Sequence, residues 1–304
     1  MPRALISILL FSLTFTTASV APQPSQASQA PVAPRVAAPA YFFIQISDPQ
    51  FGMFTADEDV AQEIANFSFA IANINRLKPA FVVITGDLVN KAGDAAQMAA
   101  YARLRKTIAK DIPVYEMPGN HDVENTPTPE TVAAYRRAHG RDYYTFTYSN
   151  LLGIVLDSTL IHTPDKASAD AGIQRVWLEG ELKRAKASGA RHIVVFQHHP
   201  WFLEKADEPD QYFNIPLVRR TPLLQLFHET GVTMLVSGHY HRNAVARDGD
   251  IEAITTGPVG MPLGGAKSGM RIFLVTSTGI THRYVEFGEL PTSIEPEKGF
   301  VERK

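Results

Sequence analysis

The chain has 304 residues, 29 Lys and Arg against 31 Asp and Glu, a formal net charge of −2 and no cysteine. Such a balance offers no broad basic footprint for a nucleic acid polymer. The missing thiols exclude disulfides, lipid attachment through cysteine and thiolate metal ligands. Met1-Pro2-Arg3, an apolar run from Ala4 to Phe15 and small residues to Ala21 predict a secretory signal over 1–20. The expected destination is periplasmic or secreted, with no stable membrane association after cleavage, because the run is too short and too rich in Ser and Thr for a span. Residues 21–39, mostly Ala, Pro, Gln and Ser, predict a disordered linker. Residues 40–288 are long enough for one large core, and the charged stretch 289–304 is expected to fray as a tail.

Within the body, helical and extended signals alternate. Val60, Ile64, Phe67, Ile71, Ile74 and Leu77 recur at helical spacing between Asp57 and Pro79. Further helices are predicted over 94–110, from Thr128 onward, and over 173–186, the last with Trp177, Leu178 and Leu182 turned inward. Short apolar runs at 41–46, 81–85, 112–117, 192–196 and 232–237 read as strands, followed by strands near 243–246, 251–256, 270–276 and 280–287. The order predicts an α/β fold with two facing mixed sheets flanked by helices. No internal repeat or heptad register is apparent, so the oligomeric state stays open.

Each of the first five strand signals ends in a polar segment: Asp48-Pro49-Gln50, Gly86-Asp87, Gly119-Asn120-His121-Asp122, Gln197-His198-His199-Pro200 and Gly238-His239-Tyr240-His241. The carboxyl edge of an α/β sheet is where ligands gather. Singly, a Gly-Asp turn or a His before Pro is ordinary loop chemistry. Together they bring two carboxylates, amide oxygens and at least three imidazoles to one rim, a mixed oxygen and nitrogen set suited to two divalent or trivalent metals.

These motifs resemble the calcineurin-like metallophosphoesterase superfamily, whose pattern is Asp-x-His, Gly-Asp, Gly-Asn-His-Asp/Glu, His and Gly-His-x-His, and the resemblance runs from about Tyr41 to Glu286. Asp48-Pro49-Gln50-Phe51-Gly52, Asn125-Thr126-Pro127-Thr128, Tyr212-Phe213-Asn214 and Arg242-Asn243 are similar to its single-domain branch of serine/threonine phosphatases. The resemblance implies a four-layer α/β/β/α sandwich. It also implies Asp48 and His241 on a first metal, Asn120, His198 and His239 on a second, and Asp87 bridging them. A bridge needs an anionic group with two oxygens, which fits Asp87. Gln50 stands where the pattern has His, and its amide oxygen is a weaker donor, so Mn, Mg or Fe become more plausible there than Zn. It either ligates the ion or hydrogen-bonds a metal-bound water.

By the same resemblance His121 lies beside the substrate and assists the leaving oxygen while a hydroxide held by the metals attacks phosphorus in line. Asn90 takes the place of an Asp that orients this ring in the large protein phosphatases; an amide predicts a mainly neutral His121 that donates a hydrogen bond. His199 is read as a neighbour shaping the pocket. Trp201, Phe202 and Leu203 with Tyr212 and Phe213 are read as a substrate wall, and residues 257–265 as a flexible rim. The expected function is hydrolysis of phosphomonoesters, with a small phosphate ester or a phosphorylated protein as partner. A cyclic-nucleotide or other phosphodiesterase is the alternative on the same site. A module that binds metal or phosphate without turnover is the alternative outside the enzyme class.

Overall fold

The computed structural model describes residues 39–300, and Met1 besides. The expected signal and almost all of the expected linker lie outside the described residues.

Short runs rich in β-branched and aromatic residues form eleven strands among the described residues. A first sheet holds Tyr41–Ile46 (β1), Val82–Thr85 (β2) and Val114–Met117 (β3), with Gly269–Val275 (β10) and Ile280–Glu286 (β11), in the order β11-β10-β1-β2-β3. β1, β2 and β3 run parallel, so their carboxyl ends share one edge, while β10 and β11 add antiparallel. The second sheet holds Tyr144–Tyr148 (β4), Leu151–Val155 (β5), His192–Phe196 (β6), Met234–Ser237 (β7), Ala244–Asp248 (β8) and Ile251–Thr255 (β9), ordered β4-β5-β6-β7-β9-β8. β5, β6, β7 and β9 are parallel, with β4 and β8 as antiparallel edges.

Side-chain alternation sorts the core into layers. Phe43, Val83 and Phe273 of the first sheet meet Val194, Phe196 and Val236 of the second. On the far side of the first sheet, Ile44, Ile84 and Ile272 pack against Phe67, Ile71 and Ile74 of Ala61–Leu77 (α1) and Tyr101 of Ala95–Arg105 (α2). Asp94 caps α2, its carboxylate accepting from the N–H groups of Ala96 and Gln97. The short Asn120–Val123 (α3) and Pro129–His139 (α4) follow β3, and Thr159–His162 (α5) follows β5. On the far side of the second sheet, Ile193 and Val195 meet Leu178 and Leu182 of Ser168–Ser188 (α6) and Leu224 and Phe227 of Leu217–Thr230 (α7). The result is the expected sandwich of helices, two mixed sheets and helices.

The sequence reading does not foresee α7 or the β4–β5 hairpin. Pro222, the sixth residue of α7, gives up the bond to the Val218 carbonyl and reads as a breaker, yet Leu223, Leu224 and Phe227, buried just beyond it, anchor the helix to the core. The buried stripe of α6 is Gln174, Leu178, Leu182 and Ala185, so Leu178 and Leu182 turn inward as expected, whereas Trp177, one residue off that stripe, is only half buried and Ile173 is exposed. The described part of the expected tail lies on the first sheet's helical side, with Leu290, Ile294 and Phe300 packed against that core. Among the described residues no helix is long and apolar enough to cross a membrane.

Candidate metal centre

The five motif segments leave β1, β2, β3, β6 and β7 at one end of the sandwich. Asp48 (φ 48°), Gln50 (37°), Asp87 (49°), His239 (65°) and His241 (54°) all adopt left-handed backbone, which side chains other than Gly rarely do. Such conformations persist only where surrounding bonds enforce them, and they gather at functional sites. Here the enforcing bonds run between loops: Asp48 N–H to Gly86 O at 3.2 Å, Gln50 N–H to Asp87 O at 2.8 Å, and Gly238 N–H to His198 O at 3.0 Å.

Two groups of metal-binding side chains result. One ligand atom from each of Asp48, Asp87 and His241 lies within 4.8 Å of the other two, and the same holds for Asp87, His198 and His239. Asp87 belongs to both, which is the spacing a shared carboxylate requires. All five are buried, as are Asn120 and Gln50.

Hydrogen bonds at the rear of each ring fix which atom faces the centre. His198 Nδ1 meets Thr85 O at 2.8 Å and His241 Nδ1 meets Met261 O at 2.6 Å; a carbonyl accepts only, so both nitrogens carry the proton and both Nε2 atoms turn a lone pair inward. His239 Nε2 faces Tyr212 O at 3.4 Å, which leaves Nδ1 inward. Asn120 gives its amide N–H to Asn125 Oδ1 at 2.9 Å, so its oxygen faces the site. His198 Nε2 is then 3.2 Å from Asp87 Oδ2, 3.0 Å from Asn120 Oδ1 and 3.1 Å from His239 Nδ1. One N–H could serve only one of three acceptors, whereas a cation engages them all. Gln50 donates from Nε2 to Asn90 Oδ1 at 3.1 Å, and its buried Oε1 finds no hydrogen-bond partner among the described residues. A buried oxygen without a partner, on the loop that carries Asp48, suits a hard cation.

Residues 43–243 match the family described as calcineurin-like phosphoesterase. The chain is 37% identical over 265 residues to the serine/threonine-protein phosphatase CPPED1 of Bos taurus, covering 82% of this chain and 85% of that protein. The chain belongs to the calcineurin-like phosphoesterase family. Its fold is shared with purple acid phosphatase PPD1 from yellow lupin, at a TM-score of 0.61 and 12% identity over 83% of this chain and 52% of that one. A dimetal phosphatase from Danio rerio superposes at 0.55 with 14% identity, covering 80% and 98%. As a calcineurin-like phosphoesterase, the protein is a hydrolase of phosphoric esters that uses two metal ions, and the residues assembled here fit that pair.

Protein groups alone polarise the phosphoesterase site strongly. Burial works against charge on Asp87, but His198 and its hydrogen bond outweigh burial and hold the carboxyl below the usual range. Burial likewise opposes charge on His198, yet Asp87 and Asp48 lift it to about 9. His239, buried and beside His198, falls to about 3. Burial and then the neighbouring His239 push His199 well down; its Nδ1 meets Ser158 Oγ at 3.0 Å and its ring lies 4.4 Å from that of His239, as expected of a neighbour.

His121 sits on the rim, half buried, and its Nδ1 meets the main-chain oxygen of Asn90 at 2.7 Å. The expected orienting amide is therefore replaced by a peptide carbonyl; the Asn90 side chain instead joins Gln50 to Asp57, donating from Nδ2 to Asp57 Oδ1 at 2.8 Å. With Nδ1–H engaged, a neutral ring offers Nε2 only as an acceptor, so donation from Nε2 requires a second proton on the ring. Residues 257–265 are no free rim. Val259 N–H bonds Ser47 O at 2.8 Å, Gly260 N–H bonds Asp48 O at 3.1 Å, and Met261 O fixes His241. Trp201 and Phe202 are buried in the core on the second sheet's helical side and Leu203 is buried beside them in the chain, so they form no wall, while Tyr212 is 56% exposed with its hydroxyl 3.4 Å from Asn120 Nδ2.

Asp122 has a role that the sequence reading leaves blank. Its carboxylate accepts from the N–H groups of Leu88 at 2.9 Å, Val89 at 3.2 Å and Gly119 at 2.8 Å, and so shapes the loop that carries Asp87. Its place in Gly119-Asn120-His121-Asp122, an acid three residues into a tight helix start, was the available signal. Nothing in side-chain identity marks the carbonyls of Thr85, Tyr212 and Met261.

Proposed function

We propose that the protein hydrolyses phosphomonoesters and that phosphoserine or phosphothreonine side chains are its substrate class. One observation carries the reading: Asp87 is common to two ligand groups whose atoms lie within 4.8 Å of one another. Asp48, Gln50, Asp87 and His241 would hold one ion, and Asp87, Asn120, His198 and His239 the other. Bound cations there supply Lewis acidity towards phosphoryl oxygens and activate water. His121, braced by Asn90 O, would hand the proton on Nε2 to the departing serine or threonine oxygen. Tyr212 and Phe213, whose rings lie 5.0 and 5.5 Å from that of His239, would form one side of the pocket. The serine/threonine specificity is supported by the names of relatives that share most of the chain.

The test is a panel of phosphomonoesters, phosphopeptides and bis-esters offered to the full chain loaded with Mn²⁺. Cleavage of phosphopeptides and aryl monoesters with little turnover of bis-esters is expected; bis-ester cleavage without monoester cleavage refutes the reading. We also infer export, supported by the basic start and apolar run through Phe15; recovery of the full-length, uncleaved chain in the cytoplasm of its host would refute that.

A further inference from the structure

Gln50 can serve an ion only if its oxygen, not its NH₂, faces the site, and the two ends of an amide are alike in shape. We propose that Asp57, an exposed residue outside the motifs, is the positioning residue that sets this polarity, acting through Asn90. The inference rests on Gln50 as a ligand, as argued above.

The chain of bonds admits one orientation at every link. A carboxylate accepts and cannot donate. Asp57 Oδ1 therefore requires an N–H from each neighbour, and receives Asn90 Nδ2 at 2.8 Å and Gln97 Nε2 at 2.7 Å. Asn90 must then turn its oxygen to Gln50, whose Nε2 lies 3.1 Å away. Gln50 is left with Oε1 pointing the other way, 1% exposed as a residue and without a hydrogen-bond partner among the described residues. The far end is pinned independently, because the Gln97 oxygen accepts from the main-chain N–H of Lys91 at 2.9 Å and from that of Asn90 at 3.1 Å, the latter shared with Phe51 O. The same Asn90 peptide turns its carbonyl to His121, so one residue aligns the ligand and the proton donor together.

Gly52 makes room for the arrangement. A Cβ there would stand 2.3 Å from Gln97 Nε2 and 3.0 Å from Asp57 Oδ1, at a φ of 106° that disfavours other residues. Thus Asp48-Pro49-Gln50-Phe51-Gly52 supplies two ligands and the bare strip over which their orienting groups close.

The experiment titrates the full chain with Mn²⁺ by calorimetry and by loss of the free-ion paramagnetic resonance signal. Wild type should take up two ions; fewer than two refutes the dinuclear reading itself. Asp57→Ala removes the acceptor, lets Asn90 and with it Gln50 turn over, and should weaken one ion by about 10- to 100-fold while sparing the other. Asp57→Asn keeps an oxygen that Gln97 Nε2 still holds in place for Asn90, and as the conservative variant should recover that affinity. Gln50→Glu, with oxygens at both ends, should restore it in the Asp57→Ala background. Unchanged affinities in Asp57→Ala, or no rescue by Gln50→Glu, overturns the relay while leaving the two-ion site standing. Asp57→Ala is read against Gln50→Ala: a double variant no weaker than Gln50→Ala alone supports the relay, and additive losses overturn it.

Discussion

Gly119→Ala adds one methyl group at the point where the two ion sites meet. Gly119 has φ −104° and ψ −179°, extended backbone open to any residue, so the change introduces no conformational penalty of its own. The new Cβ would stand 2.1 Å from Asp87 Oδ1 and 2.3 Å from Asp87 N. Ordinary carbon contacts are roughly 3.5–4.0 Å, so the carboxylate must retreat by more than about 1 Å. Metal ligands tolerate displacements of only about 0.2 Å. Asp87 cannot swing freely, because Oδ1 accepts from His121 N–H at 2.9 Å and its own peptide is part of the clash. Both ions should therefore be lost together, with turnover lowered by at least about 100-fold, the scale of an ångström misplacement. Overpacking should also lower stability by about 1–3 kcal/mol, a modest fall in Tm. The assay is ion stoichiometry by mass spectrometry beside circular dichroism, with Gly172→Ala as control, since a Cβ at Gly172 meets nothing within 4 Å. Two ions bound at wild-type affinity in Gly119→Ala would refute the claim that Asp87 is the shared ligand.

The remaining predictions concern proton transfer and pH. His121→Ala should keep both ions and lose about 10²- to 10⁴-fold in kcat, most for poor leaving groups; unchanged kcat on a phosphoserine peptide removes His121 from the chemistry. Asp157 is buried, its Oδ2 without a hydrogen-bond partner among the described residues, and burial first, then Asp142, raises its pKa to about 7. The folded chain thus holds a proton that the unfolded chain releases near its ordinary carboxylate value, so stability present at pH 4 declines as pH rises through about 7. Asp157→Asn can keep the bonds from Thr159 and should raise Tm at pH 8 but hardly at pH 4; equal shifts at both pH values contradict this.

Layers and ligands were legible in the sequence for a common reason: both are written in side-chain identity. Phe43 against Ile44, or Val194 against Val195, declares two buried faces, and five polar segments after five strands declare a rim. The hairpin β4–β5 was hidden because Thr145 and Thr147 alternate with aromatic residues in a run short enough to pass for a loop. The orientation of the site was hidden for a different reason. The rings of His198, His239, His241 and His121 are each set by a main-chain carbonyl, from Thr85, Tyr212, Met261 and Asn90, and a carbonyl is the same whichever residue bears it. Asn90 was found but for the wrong atom, and Trp201 misled because an aromatic residue near a ligand reads alike whether it faces the pocket or the core.

The division of ligands between the sheets has an energetic consequence. Asp48, Asp87 and Asn120 follow strands of the first sheet, whereas His198, His239 and His241 follow strands of the second. Each proposed ion therefore draws on both sheets and fastens one to the other at the end where the apolar core between them gives way to polar groups. Just below, Gln45 spans the same gap, donating to Thr85 Oγ1 and Ser237 O at 2.9 Å each and accepting from Thr256 Oγ1 at 2.6 Å. An ion present at about 1,000 times its Kd adds about 4 kcal/mol to the folded state, a large share of a domain's net stability. Chelation should accordingly release this end before the rest: amide exchange should quicken in residues 119–123 and 238–243 while the centres of β1 and β6 stay protected. Uniform acceleration through both sheets would mean that the ions stabilise the domain as a whole and do not act as a clasp at its rim.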